Sequence, residues 1–106
     1  MTTTPAVLIE PAFVDATGLT YTSDNCLTAL DKVGVTNEGV ASAVAIVKLY
    51  APDGTRVQTY KKTVLPDASW PFPDIVGHVL DIGGKVNVSC ATANTIKPRI
   101  SGRKFT

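Results

Sequence analysis

The sequence predicts an all-β protein, a small antiparallel β-sandwich or jelly roll of about seven to eight strands with at most one short helical turn. Three observations predict it. Apolar and polar residues alternate with period two over several stretches, most clearly in Lys85-Val86-Asn87-Val88-Ser89-Cys90-Ala91. Clusters of Pro, Gly, Asn and Asp separate those stretches at the intervals expected of turns. No segment carries helical spacing through three turns. The 106 residues, 44% of them hydrophobic, fit one domain over 1–106 with a single core, and residues 1–6 are expected to form a flexible arm.

The elements follow in order. Val7-Leu8-Ile9 and Leu19-Thr20-Tyr21 are short strand candidates. Cys26–Thr36 (CLTALDKVGVT) reads as a longer strand with Leu27, Ala29, Val33 and Val35 facing the core, closed by the turn chemistry of Asn37-Glu38-Gly39. Ala43–Tyr50 (AVAIVKLY) is apolar at nearly every position, the pattern of a central strand covered on much of both faces. Ala51-Pro52-Asp53-Gly54-Thr55 supplies a tight reversal, and Arg56–Val64 (RVQTYKKTV) alternates as a half-exposed partner, so residues 43–64 form a β-hairpin. In Lys85–Ala91, Val86, Val88 and Cys90 point one way; Thr92–Thr95 then turns the chain. Ile96–Ser101 returns as a short strand whose Pro98, lacking an N–H donor, belongs at an edge or a strand end.

Between the hairpin and the strand at Lys85 lies WPFPDIVGHVLDIGGK, residues 70–85, with the only Trp and the only His. A helical turn over Asp74–Leu80 would place His78 and Asp81 on one face, with Asp74 four residues before His78. A nucleophilic set of Cys90, His78 and Asp74 would need those groups to meet in the folded chain. No His-x-His or His-Glu motif supplies further metal ligands, and no glycine-rich phosphate loop occurs, so no catalytic residue, metal site or cofactor is expected. The stretch reads as architecture. Prolines stiffen an extended crossing, with Trp70 and Phe72 falling on one side as anchors. Ile75, Val76, Val79 and Leu80 plug the open end of the sandwich, and Gly83 and Gly84 reverse the chain. Cys26 and Cys90 read as buried thiols, with a disulfide open to them only if their strands are neighbours.

The net charge of +1 conceals a gradient. Residues 1–31 hold Glu10, Asp15, Asp24 and Asp31 and no Lys or Arg, whereas Lys85, Lys97, Arg99, Arg103 and Lys104 follow Asp81 with no further acid. Lys97, Arg99, Arg103 and Lys104 are therefore the candidate interface. Without interleaved aromatics these cations do not read as a nucleic-acid site. No apolar run approaches the roughly 18 residues of a membrane span. The N-terminus has no basic residue before its apolar patch, so no secretory signal is expected, and the chain is expected to fold in a cytosol.

Asn37, the strand Val44–Tyr50, the turn Pro52–Gly54, Ile75-Val76-Gly77-His78-Val79-Leu80, Gly83, Val86–Ala93, Asn94 and Arg99-Ile100-Ser101-Gly102 together form a pattern. It resembles that of small virion accessory proteins of tailed bacteriophages and prophages. The resemblance spans roughly residues 33–102 and departs at Gly84-Lys85, where an acidic residue usually follows the first Gly. It implies a β-sandwich or jelly roll that serves as a capsid decoration (cement) protein. It also implies a homo-oligomer in contact with the major capsid protein or other virion proteins, located in the virion and assembled in the host bacterial cytoplasm. A tail or fibre module recognising host-surface carbohydrate is the alternative, with Tyr21, Tyr50 and Tyr60 as the aromatics to inspect.

Overall fold

The computed structural model describes residues 2–106, the side chains of Arg56 and Val57 excepted. Nine strands form two packed antiparallel sheets, and no helix occurs among the described residues. The strands are β1 (Thr3–Ile9), β2 (Leu19–Thr22), β3 (Leu27–Asn37), β4 (Ala43–Tyr50), β5 (Arg56–Val64), β6 (Ser69–Trp70), β7 (Val79–Leu80), β8 (Lys85–Ser89) and β9 (Ile96–Phe105). One sheet runs β1-β9-β3-β6, with β7 also on β3, and the other runs β2-β8-β4-β5. The first strand thus lies beside the last, the second beside the eighth, and the fourth beside the fifth. This nesting is that of a long hairpin rolled into two layers, the jelly roll.

The hairpin expected over 43–64 is β4–β5, paired from Ala43↔Val64 to Leu49↔Gln58. Its turn is closed by Gly54 N–H to Ala51 O at 2.9 Å, with Gly54 at φ +89°. The alternation expected of β5 begins on two positions, Arg56 and Val57, that lie outside the described side chains. β4 is central, between β8 and β5, with one face fully covered and the other, through the half-buried Ile46, Lys48 and Tyr50, only in part. Ala43, Ala45, Val47 and Leu49 are buried, while Val44 on the other face is 41% exposed. An apolar outward face here means partial exposure, not a third layer.

β3 carries a second correction. Its pairing with β9 shifts between Leu30 and Lys32, so Asp31 is an inserted bulge residue. The extra residue inverts the side-chain parity N-terminal to it. Leu30, Val33 and Val35 enter the core; Ala29 is buried as expected but on the other side of the strand, and it and the half-buried Leu27 lie outside the core cluster. Thr28 is fully buried. β9 is ten residues long, not six, and occupies the middle of its sheet. Pro98 fits there because β1 leaves β9 at Ile9↔Ile100, so at Pro98 the only neighbouring strand is β3, through Val35. Of the arm expected over residues 1–6, Thr3 to Ala6 belong to β1 and pair with Phe105 to Gly102, and Met1 lies outside the described residues.

The crossing at 70–85 is built from turns. Phe72 has φ +43°, so the chain bends between Pro71 and Pro73 instead of running extended. Ile75 N–H then reaches Phe72 O at 3.1 Å, and His78 N–H reaches Ile75 O at 3.0 Å. These two consecutive β-turns have Pro73 at the second position of one and Gly77, φ +94°, at the third of the other. No helical face forms. Phe72, Ile75 and Leu80 are buried, and Trp70 is partly buried against the same core. Val76 and Val79, expected to complete the plug, are 49% and 57% exposed. Burying Ile75 contributes about 1.5–3 kcal/mol. Gly83, at φ +89°, forms a further turn with Gly84 N–H on Asp81 O at 2.8 Å and delivers the chain into β8.

Candidate functional site

β3 and β9 present their outward faces side by side. The register pairs Thr36 with Lys97, Gly34 with Arg99 and Lys32 with Ser101. Gly34 contributes no side chain, and nothing lies within 4 Å of where a Cβ would stand. The result is a trough over Gly34. On one side a depression of about 540 Å³ includes Pro11, Glu38, Trp70, Pro71, Lys97 and Arg99 in its lining. On the other, a depression of about 610 Å³ is lined by Lys32, Gly34, Arg99 and Ser101.

The four expected interface cations do not act alike here. Lys97 Nζ is 3.1 Å from Glu38 Oε2 and sits 4.6 Å from the Phe13 ring centroid. Arg103 holds Asp31 in a two-point ion pair, Nε to Oδ2 at 3.0 Å and a terminal nitrogen to Oδ1 at 3.1 Å. Lys104 lies over the Tyr21 ring at 5.6 Å. Arg99 has no ion-pair partner among the described residues, and neither has Lys32. Lys32 escaped notice in the sequence because its place beside Arg99 depends on the β3–β9 register, which the bulge at Asp31 sets. Of the turn residues singled out with them, Trp70 carries Lys62 Nζ 4.1 Å over its ring, and Phe72, Gly83 and Gly84 sit in the turns described above.

The residues of the possible nucleophilic set are not joined. His78 Nε2 is 3.1 Å from the Tyr60 hydroxyl, with the two rings edge to face at 6.2 Å. Its backbone carbonyl takes Leu30 N–H at 2.8 Å. Cys90 is buried at the end of β8 beside Ser42 and Thr63, whereas His78 lies beside Tyr50 and Pro52. Among the described residues no three His, Cys, Asp or Glu side chains gather as metal ligands.

Both cysteines are free and buried. Cys26 lies in a hydroxyl cluster that the sequence did not mark. Ser23 Oγ donates to Cys26 O at 2.6 Å, so its single hydrogen is committed. Thr28 must then donate to Ser23 across their 2.7 Å contact, and Tyr21 to Thr28 across 2.9 Å. With these hydroxyl hydrogens committed, the Cys26 Sγ, 3.8 Å from Ser23 Oγ and 3.7 Å from Thr28 Oγ1, can act towards them only as a donor.

Fold and site together define a jelly roll with a cationic trough on one outer face. No protein-family model, curated protein or solved structure matches the chain.

Proposed function

We propose that this chain is a non-enzymatic structural protein of a bacteriophage virion, a capsid decoration or cement protein that acts through contacts between subunits. The observation that carries the reading is a set of exposed apolar residues close together in sequence on one connection. Val76, Val79 and Ile82, all between β6 and β8, are 49%, 57% and 57% exposed. Apolar side chains grouped in this way belong at surfaces that become covered on association. The sequence resemblance points to the same class of protein, and the protected sheet edges suit it. β2, β6 and β7 are short, β1 contains Pro5, and β5 carries Lys61 and Lys62.

The carbohydrate-binding alternative draws no support from Tyr21 or Tyr60. The Tyr21 hydroxyl is bonded to Thr28 and the Tyr60 hydroxyl to His78, and both rings pack against the core. Imaging of particles assembled with and without this chain tests the proposal. A regular lattice of additional density on the shell is the expected result. Particles with the same density in both preparations would remove the proposal.

A further inference from the structure

We infer that the trough over Gly34 binds an extended acidic segment of another protein, with two carboxylates spaced two residues apart seated on Lys32 and Arg99. The inference names a partner chemistry for the docking role proposed above and rests on that reading for its biological setting.

The geometry argues for it in steps. Lys32 and Arg99 project from adjacent strands on the same outward face and are diagonal neighbours, since Lys32 pairs with Ser101 and Arg99 with Gly34. Such diagonal positions are about 7–8 Å apart. An extended chain places residues i and i+2 on one face about 6.7 Å apart, so the two spacings match. Gly34 leaves the floor open between the cations, and the Ser101 hydroxyl lies in the same depression as a further donor. Both cations are exposed, whereas Lys97 and Arg103 are occupied by Glu38 and Asp31. Glu38 lines the adjoining depression but is itself neutralised by Lys97 at 3.1 Å. Pro11 and Pro71 extend the trough with apolar surface along which a chain can lie.

The number of free cations selects the partner. Two unneutralised side chains match two carboxylates and fall well short of the roughly 6–10 phosphate contacts typical of a nucleic-acid site. A second copy of this chain cannot supply the segment. Among its nine carboxylates no two lie closer than five positions, Glu10 and Asp15 being the nearest. The occupant is therefore a different protein.

The test is an amide-shift titration of the ¹⁵N-labelled protein at low salt. The probes are acetyl-Glu-Ala-Glu-amide, the matched Gln-Ala-Gln peptide, inorganic phosphate and a short oligothymidylate. The Glu peptide should move the amides around 32–34 and 99–101, and Lys32→Gln with Arg99→Gln should weaken its binding about fivefold or more. The Gln peptide should leave those amides unmoved. Equal response to the Gln peptide, tighter binding of phosphate or oligothymidylate, or unchanged binding by the double variant would each overturn the inference. The virion role is read separately, by association with particles. Peptide binding without particle association leaves the trough standing and removes the role. Particle association without a peptide response removes the trough and leaves the role.

Discussion

Replacing Asn37 with Ala should unfold one end of the sandwich. Asn37 is the last residue of β3 and is completely buried. Its Nδ2 donates to Ala41 O at 2.9 Å and to Val64 O at 2.8 Å, and its Oδ1 accepts from Gly39 N–H at 2.8 Å. One side chain thereby ties the β3–β4 loop to the end of β5. Its backbone adds the β5–β6 turn, with Asn37 N–H on Ala68 O and Asp67 N–H on Asn37 O, both at 2.9 Å. Truncation removes three hydrogen bonds and leaves two carbonyls and one N–H without their partner. At about 1 kcal/mol for each bond, with a further penalty for groups that water cannot reach, the loss is about 3–4 kcal/mol. That is a large share of the roughly 5–15 kcal/mol that holds a domain together. In urea, with a slope of about 1–1.5 kcal/mol per M for a chain of this size, the midpoint should fall by about 2–4 M. Asn37→Asp gives the control. It keeps the acceptor for Gly39 but sets carboxylate oxygens against two carbonyls, so its deficit should be largest at neutral pH. The deficit should shrink as acid protonates the group and restores one donor. A midpoint shift below about 0.5 M for Asn37→Ala would refute the reasoning, because only a solvated, replaceable side chain costs so little.

Gly102→Ala should cost about 3 kcal/mol or more in thermal unfolding, because the new Cβ would collide with the carbonyl oxygen of Ala29 across the β3–β9 ladder. Gly34→Ala, with open space above it, should stay within about 0.5 kcal/mol of the parent, and a large loss there would contradict the open trough. Asp53 accepts the Thr55 N–H at 2.8 Å, and that bond, aided by the Thr55 hydroxyl, holds its carboxyl below the ordinary value. A lowered folded pKa stabilises the protein fully above the unfolded value, and the contribution disappears as pH falls through the folded one. The parent's advantage over Asp53→Ala should therefore narrow in acid, and an advantage that widened there would reverse the assignment. Iodoacetamide should leave Cys26 and Cys90 unmodified in the native protein and label both in denaturant, since both are buried. Rapid native labelling, followed by mass, would contradict their burial.

Much of the architecture is written locally. β4, β8 and the hairpin turn at Pro52–Gly54 are legible because a strand's period of two and the chemistry of Asp-Gly act within a few residues. The features that were not legible depend on distant partners. Asp31 is a bulge only against β9, so the exchange of Leu27 and Ala29 for Thr28 and Leu30 on the inner face has no local signal. Val76 and Val79 follow helical spacing, but Pro73 and Gly77 divide the segment into two turns, and the Leu30 backbone accepts from Gly77 N–H and donates to His78 O. Asn37 reads as ordinary turn chemistry until Val64, far along the chain, arrives at its amide. The same holds for the trough, whose cations are distant in sequence and meet only through register.

That dependence on register also changes the meaning of the charge gradient. Along the chain, acids gather early and bases late, which invites pairing between the ends of separate subunits. A jelly roll places early and late strands side by side within one subunit, because β9 lies between β1 and β3. The gradient is therefore partly neutralised inside the fold. Asp31 meets Arg103, and Glu38, just past β3, meets Lys97. Exposed pairs of this kind add only about 0–1 kcal/mol each, so their main consequence is to withdraw two of the four candidate cations from outside partners. Lys104 is directed to Tyr21, which leaves Arg99, joined by Lys32 from the neighbouring strand. Neutralising Arg99 with Lys32 should then alter the salt response of docking more than neutralising Lys97 with Arg103. Equal effects from the two pairs would mean that the internal ion pairs open on association.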